Sequence, residues 1–220
     1  MSDPVKRRYT SELRAAQALA TRRAIVTAGA RLFVDEGFGR TTIDAIAEAA
    51  GVSRKTVFTA VGGKVEVLKL ALDWAIGGDD EPLTLEQRLA ARRPRQGTGV
   101  GREEVGIDAM LRDWVEVVSP IAARVHGLSA ALYGAAAIDD DARTLWRNAQ
   151  AQRRRGARQF LAYLSANVEL PAALSFEHAT DIIWLYSDPA IYRRLVIERG
   201  WTRKYYNEWL FTTVAQQFRT

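Results

Sequence analysis

The chain has 220 residues, 48% of them hydrophobic, and carries 31 Lys/Arg against 26 Asp/Glu for a net charge of +5. That length is enough to bury a core as one or two domains, and the lack of any cysteine excludes disulfides, thiol chemistry and thiolate metal sites. No apolar run approaches the roughly 20 residues needed to cross a bilayer. Met1-Ser2-Asp3-Pro4-Val5-Lys6-Arg7-Arg8 lacks the apolar centre of a signal peptide, so the expected location is the cytoplasm.

The charge is unevenly placed. Residues 1–64 hold 11 Lys/Arg and 6 Asp/Glu, a surplus of +5, whereas residues 65–220 hold 20 of each sign. Basic N-terminal segments occur in proteins of every kind, so the surplus gains weight only if a motif coincides with it. Arginine outnumbers lysine 26 to 5 amid abundant alanine, a usage typical of GC-rich genomes that says little about function.

In chain order, the stretch before Arg22 (Lys6, Arg7, Arg8, Arg14) reads as a disordered tail with incidental charge. The alternative is an extension of the first helix ending in a basic arm, a device that reaches an adjacent minor groove. Ile25, Ala28, Leu32 and Phe33 then form the stripe of a longer helix ending near Glu36-Gly37. Ile43, Ile46, Ala47 and Ala50 recur at i, i+3, i+4 and i+7, one apolar stripe on a short helix. Thr42 stands where it caps that helix, Asp44 suits the positive end of its dipole, and Gly51 follows where a left-handed C′ residue is needed. Val52 is expected to enter the core, and Ser53 to cap a second short helix running to about Val61 and anchored by Val57 and Val61. The outward face of that helix is Arg54, Lys55, Thr56 and Thr59, all donors to phosphate oxygens or base edges. Gly62-Gly63-Lys64 opens a fourth helix with Val65, Leu68 and Leu72 inward, and its start suits a phosphate. Two short helices about a glycine turn, the second basic, have the pattern of a helix-turn-helix that places its second helix in the major groove. A small three-helix packing unit with solvated charges is the plainer alternative.

Residues 22–72 resemble the DNA-binding region of the TetR family of transcriptional regulators. The resemblance is carried by Ile25, Ala28, Leu32, Phe33, Gly37, Thr41-Thr42, Ile46-Ala47, Ala50-Gly51-Val52-Ser53, Lys64 and Leu68. It implies that Thr42 meets a phosphate, that Ser53, Arg54, Lys55 and Thr56 face base edges and backbone, and that Lys64 clamps a phosphate. With Phe58 and Thr59 these form the expected DNA-contact set. Phe58, Ala60 and Val61 depart from the tyrosine, histidine and phenylalanine usual there. Phe58 keeps a ring but loses a hydroxyl, and Ala60 loses a polar contact, so affinity is expected to lean on Arg54, Lys55 and Lys64.

Beyond Gly77, the runs Gly77-Gly78-Asp79-Asp80-Glu81-Pro82 and Arg92-Arg93-Pro94-Arg95-Gln96-Gly97 read as a loop-rich, mobile connection around one helical turn, Leu85 to Ala91. Helical patterns follow at Val105–Val118, Pro120–Tyr133, Asp141–Leu164, Ser175–Tyr186, Pro189–Arg199 (stopped by Gly200) and Thr202–Phe218, with no strand signal. The fold class is therefore all-α. A DNA-binding helix-turn-helix domain with a basic N-terminal arm is expected over 1–64, a connecting helix and loop over 65–101, and a helical regulatory and dimerisation domain over 102–220.

All six tryptophans lie in the helical body or its approach. The resemblance implies that this body binds a small-molecule effector without saying which residues do so. Trp114, His126, Tyr133, Trp146 and Trp184 are the candidates, although aromatics at helical spacing are ordinarily core. Ile182-Ile183, Leu185-Tyr186, Tyr206, Trp209-Leu210, Thr213-Val214 and Gln217-Phe218 form stripes wide enough to pack on two sides. In the family the equivalent helices pair as a four-helix bundle between two subunits. Ser187-Asp188-Pro189-Ala190-Ile191-Tyr192-Arg193-Arg194-Leu195 with Arg199-Gly200-Trp201 also resembles the C-terminal domain of actinobacterial-type members. A monomer burying the stripes internally is the alternative, but one short recognition helix reads too few base pairs alone.

Two histidines, no cysteine, no Gly-x-Ser-x-Gly and no phosphate-binding glycine loop leave little for catalysis. Asp139-Asp140-Asp141 reads as a solvated helix start. No enzyme activity, cofactor or metal is expected. The expectation is a homodimeric, ligand-responsive repressor on a palindromic operator in double-stranded DNA, the alternative being a non-specific architectural DNA-binding protein without an effector.

Overall fold

A computed structural model describes residues 4–77 and 106–219. The expected loop over 78–101 lies outside the described residues, as do the side chains of Lys6, Arg7 and Arg8. Every regular element among the described residues is helical, and no helix there is long and apolar enough to cross a membrane. The chain divides into two compact units, Met1–Asp73 with Ala130–Trp146, and Trp74–Ser129 with Arg147–Thr220.

In the first unit, α1 (Pro4–Asp35) is one continuous helix. The segment before Arg22 therefore extends the first helix, against the expectation of a disordered tail. Ile25, Ala28, Leu32 and Phe33 are all buried, as their spacing requires. α2 (Ile43–Ala49) and α3 (Arg54–Ala60) pack beneath it through Ile43, Ile46, Ala47 and Val57, while Val52 and Val61 are only half-buried. α4 (Lys64–Gly77) turns Val67, Leu68, Ala71 and Leu72 inward. Val67, not Val65, makes the first inward contact, because α1 offers it a glycine. A Cβ on Gly29 would fall 2.4 Å from the Val67 side chain, so the two helices approach this closely only where a side chain is missing.

The remaining helices are α5 (Ile107–Ala135), α6 (Asp140–Ser165), α7 (Phe176–Tyr186), α8 (Pro189–Tyr192) and α9 (Arg203–Gln216). Pro120 lies inside α5, so the two helices expected on either side of it are one. A proline removes one helical hydrogen bond. Here Val117, Ala122 and Val125, buried on both sides of it, hold the helix together through packing. A π-helical stretch, Arg193–Glu198, follows α8 and ends before Gly200, whose φ of +71° serves the expected stop. The second unit's core gathers Leu111, Trp114, Phe160, Leu161, Leu164, Ile183, Tyr206, Leu210 and Val214. Tyr192, Tyr206, Trp209 and Trp201 interlock there edge to face or tilted, at centroid separations of 5.1 to 6.1 Å.

Candidate nucleic-acid interface

The turn between α2 and α3 is built by local chemistry. Thr42 Oγ1 accepts from Ala45 N at 3.1 Å, satisfying one free amide of α2. Gly51 adopts φ +66° after α2, and Val52 N reaches back to Ala47 O at 2.9 Å, closing the helix end. Ser53 Oγ then accepts from Thr56 N at 3.1 Å and lies 2.8 Å from Thr56 Oγ1, so one serine caps α3 and orients the next hydroxyl. At the far end of α3, Arg22 of α1 donates from Nε to Ala60 O at 3.1 Å. That bond satisfies a terminal carbonyl and brings positive charge to the negative end of the helix.

α3 presents one exposed polar face. Lys55 is exposed and has no side-chain partner among the described residues. Arg54 Nη1 pairs with Asp44 Oδ2 at 2.6 Å, and its guanidinium lies 5.6 Å from the Phe58 ring centroid. Both members of that pair are more than half exposed (59% and 66%), so it contributes little stability and exchanges easily for another anion. Thr59 Oγ1 bonds back to Lys55 O at 3.0 Å, which leaves its lone pairs but not its proton for an incoming group. Phe58 is 47% exposed, an apolar surface in the middle of the basic face.

Lys64 stands apart from these residues. Its Nζ donates to Phe38 O at 2.8 Å and to Thr41 O at 2.9 Å. The expected phosphate cradle at the α4 start also has an occupant, since Gly63 N donates to Glu66 Oε2 at 2.8 Å. The spacing Gly63-x-x-Glu66 is that of a side chain returning to cap its own helix. The sequence carried this signal, and it marks the helix start as self-capped. Asp44 as the partner of Arg54, and Arg22 as the cap of α3, had no comparable local signal.

The aromatic candidates do not converge. A cavity of about 120 Å³ in the second unit is lined by Trp114, Val118, Val125, Arg153, Phe160 and Ile183, among others. Of the five candidates only Trp114 lines it, buried and stacked on Phe160. His126 stacks on Tyr192 with its Nδ1 buried and unpartnered, and burial together with the nearby Arg193 charge holds its pKa below the usual imidazole range. Trp184 packs under the Arg153 guanidinium with its indole N–H unpartnered. Tyr133 and Trp146 contact each other in the first unit, and Tyr133 is 67% exposed. Arg153, missed in the sequence, is the cation in the cavity wall. It pairs with Asp188 at 2.7 Å and donates to Trp184 O at 3.2 Å, while Asp188 also caps α8.

The C-terminal stripes are largely spent inside the chain. Ile183, Tyr206, Leu210, Val214 and Phe218 are buried, leaving Leu185 at 56% exposure with half-buried Ile182, Tyr186 and Trp209 as the apolar remainder.

Three comparisons place this architecture among known proteins. Residues 25–70 match the family model described as "Bacterial regulatory proteins, tetR family". Two regulators of Pseudomonas putida, the HTH-type transcriptional regulator SrpR and the uncharacterized HTH-type transcriptional regulator TtgW, are each 43% identical to this chain over 58 residues. The match takes in 26% of this chain and spans 27% and 43% of those two relatives. NalD of Pseudomonas aeruginosa, described as the secondary repressor of a multidrug efflux pump, superposes with a TM-score of 0.63 over 90% of this chain and 96% of its own, at 17% identity. That likeness extends the shared fold well beyond the matched segment. Over residues 25–70 the chain thus carries the N-terminal segment that this family model describes, and over most of its length it shares the fold of NalD.

Proposed function

We propose that the chain is a sequence-specific, DNA-binding transcriptional regulator that acts as a homodimeric repressor on a palindromic operator. The observation that carries this is the capped α2–turn–α3 unit, with Arg54 and Lys55 exposed on α3, Ser53 exposed at its cap and Thr56 half-buried. Lys55 and Arg54 supply charge to phosphates or guanine edges, and Thr42, Ser53 and Thr56 supply hydroxyls that fix register. Phe58 contributes apolar contact, to a thymine methyl or to sugar. Two such helices, roughly 34–36 Å apart on successive major grooves, give a readable site where one does not. The exposed Leu185 on α7, with Ile182 and Trp209, is the apolar surface offered to a second copy.

Regulation is assigned to the helical body over 102–220, with residues 1–64 as reader, in the cytoplasm. A cavity of about 120 Å³ is smaller than a typical ligand pocket of about 300–1,000 Å³. An effector must therefore favour an expanded conformer, and it shifts operator affinity only by its differential affinity for the two conformers. The test is selection of duplexes from a random-sequence library by the full chain, followed by competition at physiological salt. The expected product is an inverted repeat bound at least about 10³-fold more tightly than random duplex. Equal affinity for both, falling steeply with salt on either, is the result of an architectural protein and overturns the proposal.

A further inference from the structure

The α1–α2 loop has unusual wiring. Gly37 adopts φ +82°, and its carbonyl accepts from both Thr41 N at 3.2 Å and Thr41 Oγ1 at 2.9 Å. Thr41 is fully buried. The loop thereby turns the Phe38 and Thr41 carbonyls toward the start of α4, where Lys64 Nζ takes both at 2.8 and 2.9 Å. The ammonium also lies 4.1 Å from the Phe38 ring centroid, and that ring stacks on Phe33 of the α1 core. Two of its three protons are thus committed to carbonyls, with an aromatic face against the nitrogen. Burial lowers its affinity for the proton, opposed by the Asp139 carboxylate, as befits a partly desolvated ammonium. Independently, the Glu66 carboxylate already sits on Gly63 N, placing a negative charge where a phosphate at this helix start would have to come.

From these contacts we infer that Lys64 is a positioning residue for DNA binding: it pins the α1–α2 loop to α4, fixing where Thr42 and α2 stand, and is not itself a phosphate ligand. The inference rests on the proposed DNA-binding role of α2 and α3. It departs from the expectation that Lys64 clamps a phosphate, and its reason is stoichiometric. Moving the ammonium to a phosphate would leave two loop carbonyls without a donor, Thr41's in a fully buried residue, and would bring the phosphate toward Glu66.

The experiment is reductive methylation of the full chain, read lysine by lysine by mass spectrometry, with and without the duplex selected from the random library. Without DNA, Lys64 is expected to react at least about tenfold more slowly than exposed Lys55, because two carbonyls and the Phe38 ring close its nitrogen to reagent, which outweighs the larger free-amine share that its lowered pKa gives. On adding duplex, Lys55 slows and Lys64 does not change. Fast reaction of free Lys64 that DNA then suppresses overturns the inference. Lys64→Met supplies a second readout in salt titrations. A positioning role predicts about a tenfold loss of affinity with the salt slope unchanged, whereas loss of a phosphate contact shrinks the slope by about 0.9. If DNA fails to slow Lys55 in the wild-type chain, the DNA-binding reading fails, while the DNA-free reactivity of Lys64 still reports on the clamp.

Discussion

The two compact units treat their polar groups in opposite ways. In the first unit, the helix starts around the turn are each closed by a side chain three residues away: Thr42 on Ala45, Ser53 on Thr56, Glu66 on Gly63. The second unit instead buries a wide aromatic and aliphatic core, holds a cavity, and leaves Ser119 Oγ, His126 Nδ1 and Trp184 Nε1 buried without partners. Unpartnered buried atoms are costly in a finished core. They would be tolerable in a body with a second packing to adopt, as the proposed regulation asks, whereas a surface proposed to match DNA gains from being locally over-determined. Locally closed helix starts in one unit and unpartnered buried atoms in the other suit the proposed division between reading and responding.

The contrast can be broken most severely in the reader's small core. Ile46→Ala, at a fully buried site, is expected to cost about 2–5 kcal/mol and to abolish DNA binding, read by thermal denaturation and fluorescence anisotropy. Gly29→Ala should destabilise by about 1–3 kcal/mol through overpacking, offset by up to about 1 kcal/mol of helix propensity, because its Cβ would fall 2.4 Å from Val67. Denaturant melts giving a stability gain would show that α1 and α4 separate freely.

Much of this contrast is legible in the sequence, and the legible part is local. The caps at Thr42 and Ser53 follow from side-chain chemistry within four residues, and the stops at Gly51 and Gly200 from the lack of a Cβ at a positive φ. What escaped depends on the fold. Pro120 remains helical because Val117, Ala122 and Val125 are packed around it, and the inward role of Val67 depends on a missing side chain 38 positions earlier at Gly29. The same limit governs the site. The α3 face was readable from periodicity, whereas the partners of Lys64 are backbone carbonyls 23 and 26 residues away, which no side-chain pattern announces.

Smaller effects sharpen the picture. Ser53→Ala removes the α3 cap and is expected to cost about 1 kcal/mol, with loss of operator affinity exceeding loss of stability because Thr56 is released too. Paired denaturation and anisotropy measurements on that variant check the order. In the second unit, pH provides the probe. The His126 pKa is lowered in the folded chain, so the unfolded chain binds more protons as pH falls through the ordinary imidazole range. Stability contributed by neutral His126 is present at neutral pH and declines as the solution is acidified through that range. His126→Gln should flatten this dependence in melts across the same window, and an unchanged pH profile would assign it to other groups.

The central claim, that the exposed face of α3 reads DNA, is tested most directly by comparing Lys55→Ala with Lys204→Ala on the duplex selected by the wild-type chain. Both lysines are exposed, but only Lys55 lies on α3. Lys55→Ala is expected to weaken binding by about 1–3 kcal/mol with unchanged melting temperature, and Lys204→Ala to bind like wild type. Equal affinities for the two variants would contradict the account.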